Sequence, residues 1–130
     1  GPKEVSALPS GEVISSMEQY FREAQGLLTD MFISGLYSLQ EETLSQCRRL
    51  AREGEMMGLH QGSQNLTEVY KLLEGRRHQM DFSPEPVIKG LGRCEAYIRI
   101  CRERLLRDKA LVCLEQERDE DRISGFQKSQ

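Results

Sequence analysis

Apolar residues in this chain recur at steps of three and four, and alternation of apolar with polar residues never persists. Residues three and four apart share one face of a helix, whereas a strand shows the same face at every second residue. The pattern therefore points to packed helices and leaves no stretch that reads as a strand. Composition agrees. There is no Trp, and with four Phe and four Tyr the core must be mostly Leu, Ile, Val, Met, Ala and Cys.

Four helices follow from the pattern and its punctuation. The first is expected from Ser15, where Ser15-Ser16-Met17-Glu18 has the form of a capping box. Its apolar stripe is Met17, Tyr20, Phe21, Ala24, Leu27, Leu28, Met31 and Phe32, with Gly35 ending or bending it. The second is expected from Ser38, with Leu44, Cys47, Leu50 and Ala51 inward. Arg48, Arg49 and Arg52 fall toward its negative pole, and Gly54 and Gly58 mark the exit. The third covers about Leu59 to Leu73 with Leu66, Val69, Tyr70 and Leu73 on one face. Gly62 on that face reads either as a close approach by a neighbour or as a weak point in the helix.

Ser83-Pro84-Glu85 opens the fourth and longest helix, expected from Pro84 to Glu117. Leu91, Cys94, Ile98, Cys101, Leu105 and Val112 follow at spacings of 3, 4, 3, 4 and 7, a heptad-like seam. Residues 1–14 read as a flexible lead-in and 118–130 as a polar acidic tail, leaving a bundle domain over 15–117. Short connectors favour antiparallel neighbours. The expected fold is all-α: an up-down bundle of four helices, the last one longest, with flexible termini.

The residues supply little reactive chemistry. Cys47, Cys94, Cys101 and Cys113 form no C-x-x-C pair, lie within helical patterns, and read as free thiols used as small apolar groups in a reducing cytoplasm. Neither His60 nor His78 has Glu three residues before it, as a di-iron bundle requires; Glu74 and His78 could share a helix face as an exposed pair. No phosphate-binding glycine loop, nucleophile elbow or zinc-protease motif occurs. No enzyme activity and no cofactor is expected. No apolar run is long enough for a membrane span, and no basic stretch followed by an apolar run opens the chain as a secretory signal would. Gly1-Pro2 reads as the remnant of a protease cut, so the natural protein is expected to be longer.

Charge is unevenly placed although the net is −3. Arg99, Arg102, Arg104, Arg107 and Lys109 make the fourth helix basic, and an acidic run from Glu115 to Asp121 follows. A solvated face with local ion pairs explains this, as Glu95 with Arg99 and Glu103 with Arg107 illustrate. The sharper reading is a contact strip for phosphate or an acidic partner. Leu105 and Val112 lie where the longest helix outruns the others, which suggests a dimer seam. Met56-Met57 before Gly58 could form a soft docking patch.

One family resemblance stands on Phe21-Arg22-Glu23-Ala24 with Leu27-Leu28, Gly35-Leu36, Leu39, Leu50-Ala51-Arg52-Glu53, Gly58-Leu59, Leu66 and Leu72-Leu73. The stretch from Glu18 to Leu106 resembles a helical domain of bacterial proteins associated with SWIM zinc fingers. The finger's own Cys and His ligands are absent here, so no zinc role transfers. The resemblance implies an accessory module beside a DNA- or protein-binding finger. The leading expectation is a non-catalytic interaction or scaffold module of a larger protein, contacting a protein partner or flanking domains. The alternatives are a nucleic-acid-binding accessory domain and a small-ligand sensor whose apolar core holds a lipophilic molecule.

Overall fold

The computed structural model describes residues 8–36, 39–76 and 81–128, with backbone alone for 126–128. Every regular element among them is helical: α1 Gly11–Ser34, α2 Glu41–Met56, α3 His60–Gly75 and α4 Glu85–Lys128. The chain is thus an all-α four-helix bundle whose last helix is the longest. Each helix lies beside its neighbours in chain order, α4 closes the ring against α1, and among the described residues the backbones of the diagonal pairs nowhere approach within 8 Å.

Staggered contacts show that all four neighbouring pairs are antiparallel. Tyr20 lies against Gly54 while Glu23 meets Arg49. The Ser63 hydroxyl donates to the Ala51 carbonyl, and the Cys47 thiol donates to that of Leu66. Gly62 lies against Tyr97, and Val69 against Gly90. Lys109 reaches Glu18, while Phe21 and Ala24 share a small void with Cys94 and Ile98. The alternating directions follow from the short connectors, which cannot carry the chain back to the starting end.

Several boundaries differ from the sequence expectation. The first helix starts before Ser15, because the Ser10 side chain caps it by accepting from the Val13 N–H. Residues 11–14 are consequently helical rather than part of a flexible lead-in, and Ile14 is buried in the core. Residues 1–7 lie outside the described residues. Gly35 ends α1 with φ +80°, and its N–H bonds back to the Met31 carbonyl. Phe32 belongs to the expected stripe but is 53% exposed near the helix end. Ser38 lies outside the described residues; α2 begins at Glu41 after Gln40.

Gly54 is not an exit. It is buried inside α2 beneath the Tyr20 ring, and the turn falls at Gly58, where φ is +83°. The last turn of α2 holds no basic residue, so Arg48, Arg49 and Arg52 have tasks other than balancing its dipole. Pro84 precedes α4 and its carbonyl accepts from the Ile88 N–H. At the far end α4 does not stop near Glu117 but continues to Lys128.

The core is one cluster drawn from all four helices. Phe21, Leu27, Leu28 and Met31 of α1 face Leu50 and Cys47 of α2, Val69 and Leu73 of α3, and Val87 and Leu91 of α4, all fully buried. Burying each such large side chain contributes about 1.5–3 kcal/mol relative to leaving it in water. Buried polar groups are paired. The Tyr20 hydroxyl donates to the Leu50 carbonyl at 3.0 Å, and Asn65 accepts from Gln61. Arg76 donates to the Leu36 carbonyl, tying the end of α3 to the segment after α1.

Candidate functional site

Two of the four cysteines lie in the interior, and burial silences them. Cys47 is fully enclosed; desolvation, reinforced by the neighbouring Cys94, pushes its thiol up to about 12. Desolvation pushes Cys94 up to about 12 as well, against a smaller opposing pull from Arg93. A thiol with so high a pKa is hardly ever a thiolate at neutral pH and is a poor nucleophile. The Tyr20 phenol is likewise raised above its ordinary value, chiefly by burial. Among the described residues, no group of three or more His, Cys, Asp and Glu is placed to hold a metal ion. His60 pairs with Glu55 at 2.7 Å on the exposed rim, and His78 lies outside the described residues. No described helix is long and apolar enough to cross a membrane.

The five cations of α4 are all exposed, but helical geometry scatters them. At 100° per residue Arg102 and Lys109 share one flank, while Arg104 and Arg107 project from a different side with Arg99 between. Arg102 and Lys109 line a cleft of about 90 Å³ between α1 and α4, with Glu18, Arg22, Leu105 and Leu106. Lys109 is already paired there with Glu18 at 3.3 Å. The basic residues therefore do not make one continuous strip.

The suggested dimer seam also changes. Leu105 is 6% exposed within the single chain, and Val112 packs half-buried against the core. Their common face is used inside the chain, where Leu105 shares the lining of a cleft with Glu18 and Arg22 of α1. The exposed apolar residues of this half of α4 are Ile100, Leu106, Leu111, Leu114 and Ile123. At the turn after α2, Met56 is 87% exposed while Met57 packs on the core, so the pair gives one exposed side chain rather than a patch.

A larger feature lies between α2 and α3. A groove of about 530 Å³ is lined by Arg48, Arg52, Glu55, Thr67, Tyr70 and Lys71, with Ala51 and Ser63 in its lining as well. Its cations come from both helices, Arg48 and Arg52 from one and Lys71 from the other. The Arg48 guanidinium stands 5.9 Å from the Tyr70 ring centroid, a cation–π arrangement that holds it over the groove. Among the described residues, neither Arg52 nor Lys71 has a carboxylate within ion-pairing distance. Glu55 carries the opposing charge, and it is held by His60.

Arg49, next in sequence to Arg48, does the opposite. It bridges Glu23 at 3.0 Å and Glu53 at 2.7 Å, which holds the Glu23 carboxyl below its usual value by hydrogen bonding. Sequence reasoning treats Arg48, Arg49 and Arg52 alike as end-of-helix cations. Arg48 and Arg52 are four apart and share the flank toward α3, while Arg49, one residue after Arg48, turns toward α1. The signal that could have separated them is the 3.6-residue period applied to the polar residues as well as to the apolar ones.

Comparison with protein-family models, with curated proteins and with solved structures finds no match.

Proposed function

We propose that this domain is a non-catalytic interaction module whose α2–α3 groove receives an acidic segment of a protein partner or of a flanking domain. The observation that carries the reading is that Arg52 of α2 and Lys71 of α3, neither with a carboxylate in ion-pairing distance, line one groove whose third cation is held by Tyr70. A carboxylate-bearing helix or strand entering the groove would exchange water for charge-assisted hydrogen bonds, and its apolar side chains would cover Tyr70 and Ala51. Free cysteines suit a reducing compartment such as the cytoplasm. The accessory role beside a bacterial SWIM finger is one form of the same reading.

The test is fluorescence anisotropy with a labelled amphipathic peptide rich in Glu and Leu, with its Lys-for-Glu counterpart as control. The acidic peptide is expected to bind and the basic one not, with affinity falling as salt rises. Arg52→Glu with Lys71→Glu should abolish binding without lowering Tm, since both side chains are exposed. Equal binding of both peptides, or binding undisturbed by the double substitution, refutes the groove. Tighter binding of a single-stranded oligonucleotide than of the peptide would favour the nucleic-acid alternative instead.

A further inference from the structure

The end of α4 is a helix that leaves the bundle. Gly62, just past the turn between α2 and α3, lies against Tyr97, so α4 runs on beyond that turn for roughly 45 Å to Lys128. α1 accompanies the first part of this stretch, where Lys109 reaches Glu18. From Cys113 to Gly125 every residue is exposed.

Charge on this segment is sorted by face. At 100° per residue, Leu114, Glu117, Glu120 and Asp121 fall within an arc of about 120°. Arg118 borders that arc beside Leu114, and Arg122 lies well outside it, paired with Asp119 at 3.9 Å. Among the described residues Glu117, Glu120 and Asp121 have no cation within ion-pairing distance. The arc is therefore an acidic stripe that starts on a leucine.

The α2–α3 groove has the complementary lining. Arg48 and Arg52 stand one turn apart on α2, as Glu117 and Asp121 do on α4. Lys71 adds a cation from α3, and Tyr70 and Ala51 offer apolar surface to Leu114. Glu55 is the opposing charge in the lining, and His60 engages it. One chain does not join its own two surfaces. The groove lies alongside α2 and α3, whereas the unbroken α4 carries its acidic end away past their turn.

Building on the groove as a site for an acidic segment, we propose that its occupant is the acidic end of α4 from a second copy of this chain. Each copy carries one such end and one groove, so the contact closes when two copies exchange ends. Pairing of exposed charges dominates, which makes the association reversible and dependent on salt.

Sedimentation equilibrium of the full chain at low and high salt tests the assignment. Self-association is expected at low salt, with dissociation as salt rises. Glu117→Arg with Asp121→Arg reverses the stripe, and Arg52→Glu with Lys71→Glu reverses the groove. Each of these variants alone should associate at least about tenfold more weakly. All four positions are exposed, and an unchanged helical circular-dichroism signal verifies that the variants still fold. Mixing the two variants should restore association, because native stripe then meets native groove and reversed stripe meets reversed groove. Three results overturn the inference: a monomer at every concentration, association indifferent to either pair of substitutions, or a mixture that associates no better than its components. The peptide rich in Glu and Leu separates this failure from failure of the groove. If it binds while the chain stays monomeric, the groove takes its acidic segment from another protein; if it does not bind, the reading of the groove fails as well.

Discussion

Replacing Gly62 by Ala tests how closely α3 and α4 approach. A Cβ at this position would lie 2.4 Å from Cε1 and 2.9 Å from Cδ1 of Tyr97, where ordinary contact begins at 3.4 Å. The atoms met first belong to the body of the ring, not to its hydroxyl tip, so the ring must retreat by about 1 Å. Tyr97 sits between Cys94 and Ile98, whose burial fixes this part of α4 in the core. Overpacking of this kind costs about 1–3 kcal/mol. Exchanging Gly for Ala inside a helix returns about 1 kcal/mol. The expected result is a net loss of about 1 kcal/mol, in the middle of the range those two terms allow.

Gly26→Ala supplies the contrast. Gly26 is inside α1 with nothing within 4 Å of its added Cβ, so it should gain about 0.5–1 kcal/mol. The two variants should differ by about 2 kcal/mol, roughly 8 °C in Tm for a domain of this size. Urea denaturation followed by circular dichroism provides both midpoints and slopes. The midpoints should move in opposite directions at constant slope. Shortening the ring partner by Tyr97→Leu should turn the Gly62→Ala penalty toward a gain in a double-mutant cycle. If Gly62→Ala stabilises the wild-type domain as much as Gly26→Ala does, the close approach of α3 to α4 is wrong.

Thiol accessibility should divide the four cysteines in two. Under native conditions a disulfide reagent should modify exposed Cys113 rapidly and half-buried Cys101 more slowly, with Cys47 and Cys94 reacting only on unfolding; mass-mapped labelling that finds Cys47 modified first would contradict the packing. Stability should also fall in alkali. Cys47 and Cys94 are held near 12 in the folded chain against an ordinary 9, so the unfolded state releases their protons first. Their contribution is complete below pH 9 and is lost as pH rises from 9 toward 12. Thermal melts across that range should show Tm dropping, and a Cys47→Ala, Cys94→Ala variant should drop less steeply relative to its own neutral-pH value.

Some elements could be read from local signals and others could not. Leu91, Cys94, Ile98 and Leu105 announce a buried face because the helical period is a property of the chain itself, whatever it packs against. Gly62 left two readings open, and only the position of Tyr97 on another helix chose between them. The start of α1 falls earlier than the sequence suggests, because Ser15-Ser16-Met17-Glu18 has the local form of a cap as much as Ser10 does. Nothing local records that Ile14 meets the core and holds the extra turn in place. Phe32 obeys the stripe's period yet stays exposed, since a period gives direction and not the length of the neighbouring helix.

The candidate surfaces show the same division. Arg48, Arg49 and Arg52 are indistinguishable as cations in sequence. Antiparallel packing brings Glu23 to Arg49, which also pairs with Glu53 one turn on, and leaves Arg52 and Lys71 lining one groove. Helical type, the number of helices and the inward face of most turns were determined by the sequence alone, because backbone hydrogen bonding and the burial of periodic apolar faces act within a few turns. Which cations pair, which leucines remain in water and where a groove opens were decided only by the tertiary structure, because each depends on what a distant segment brings alongside.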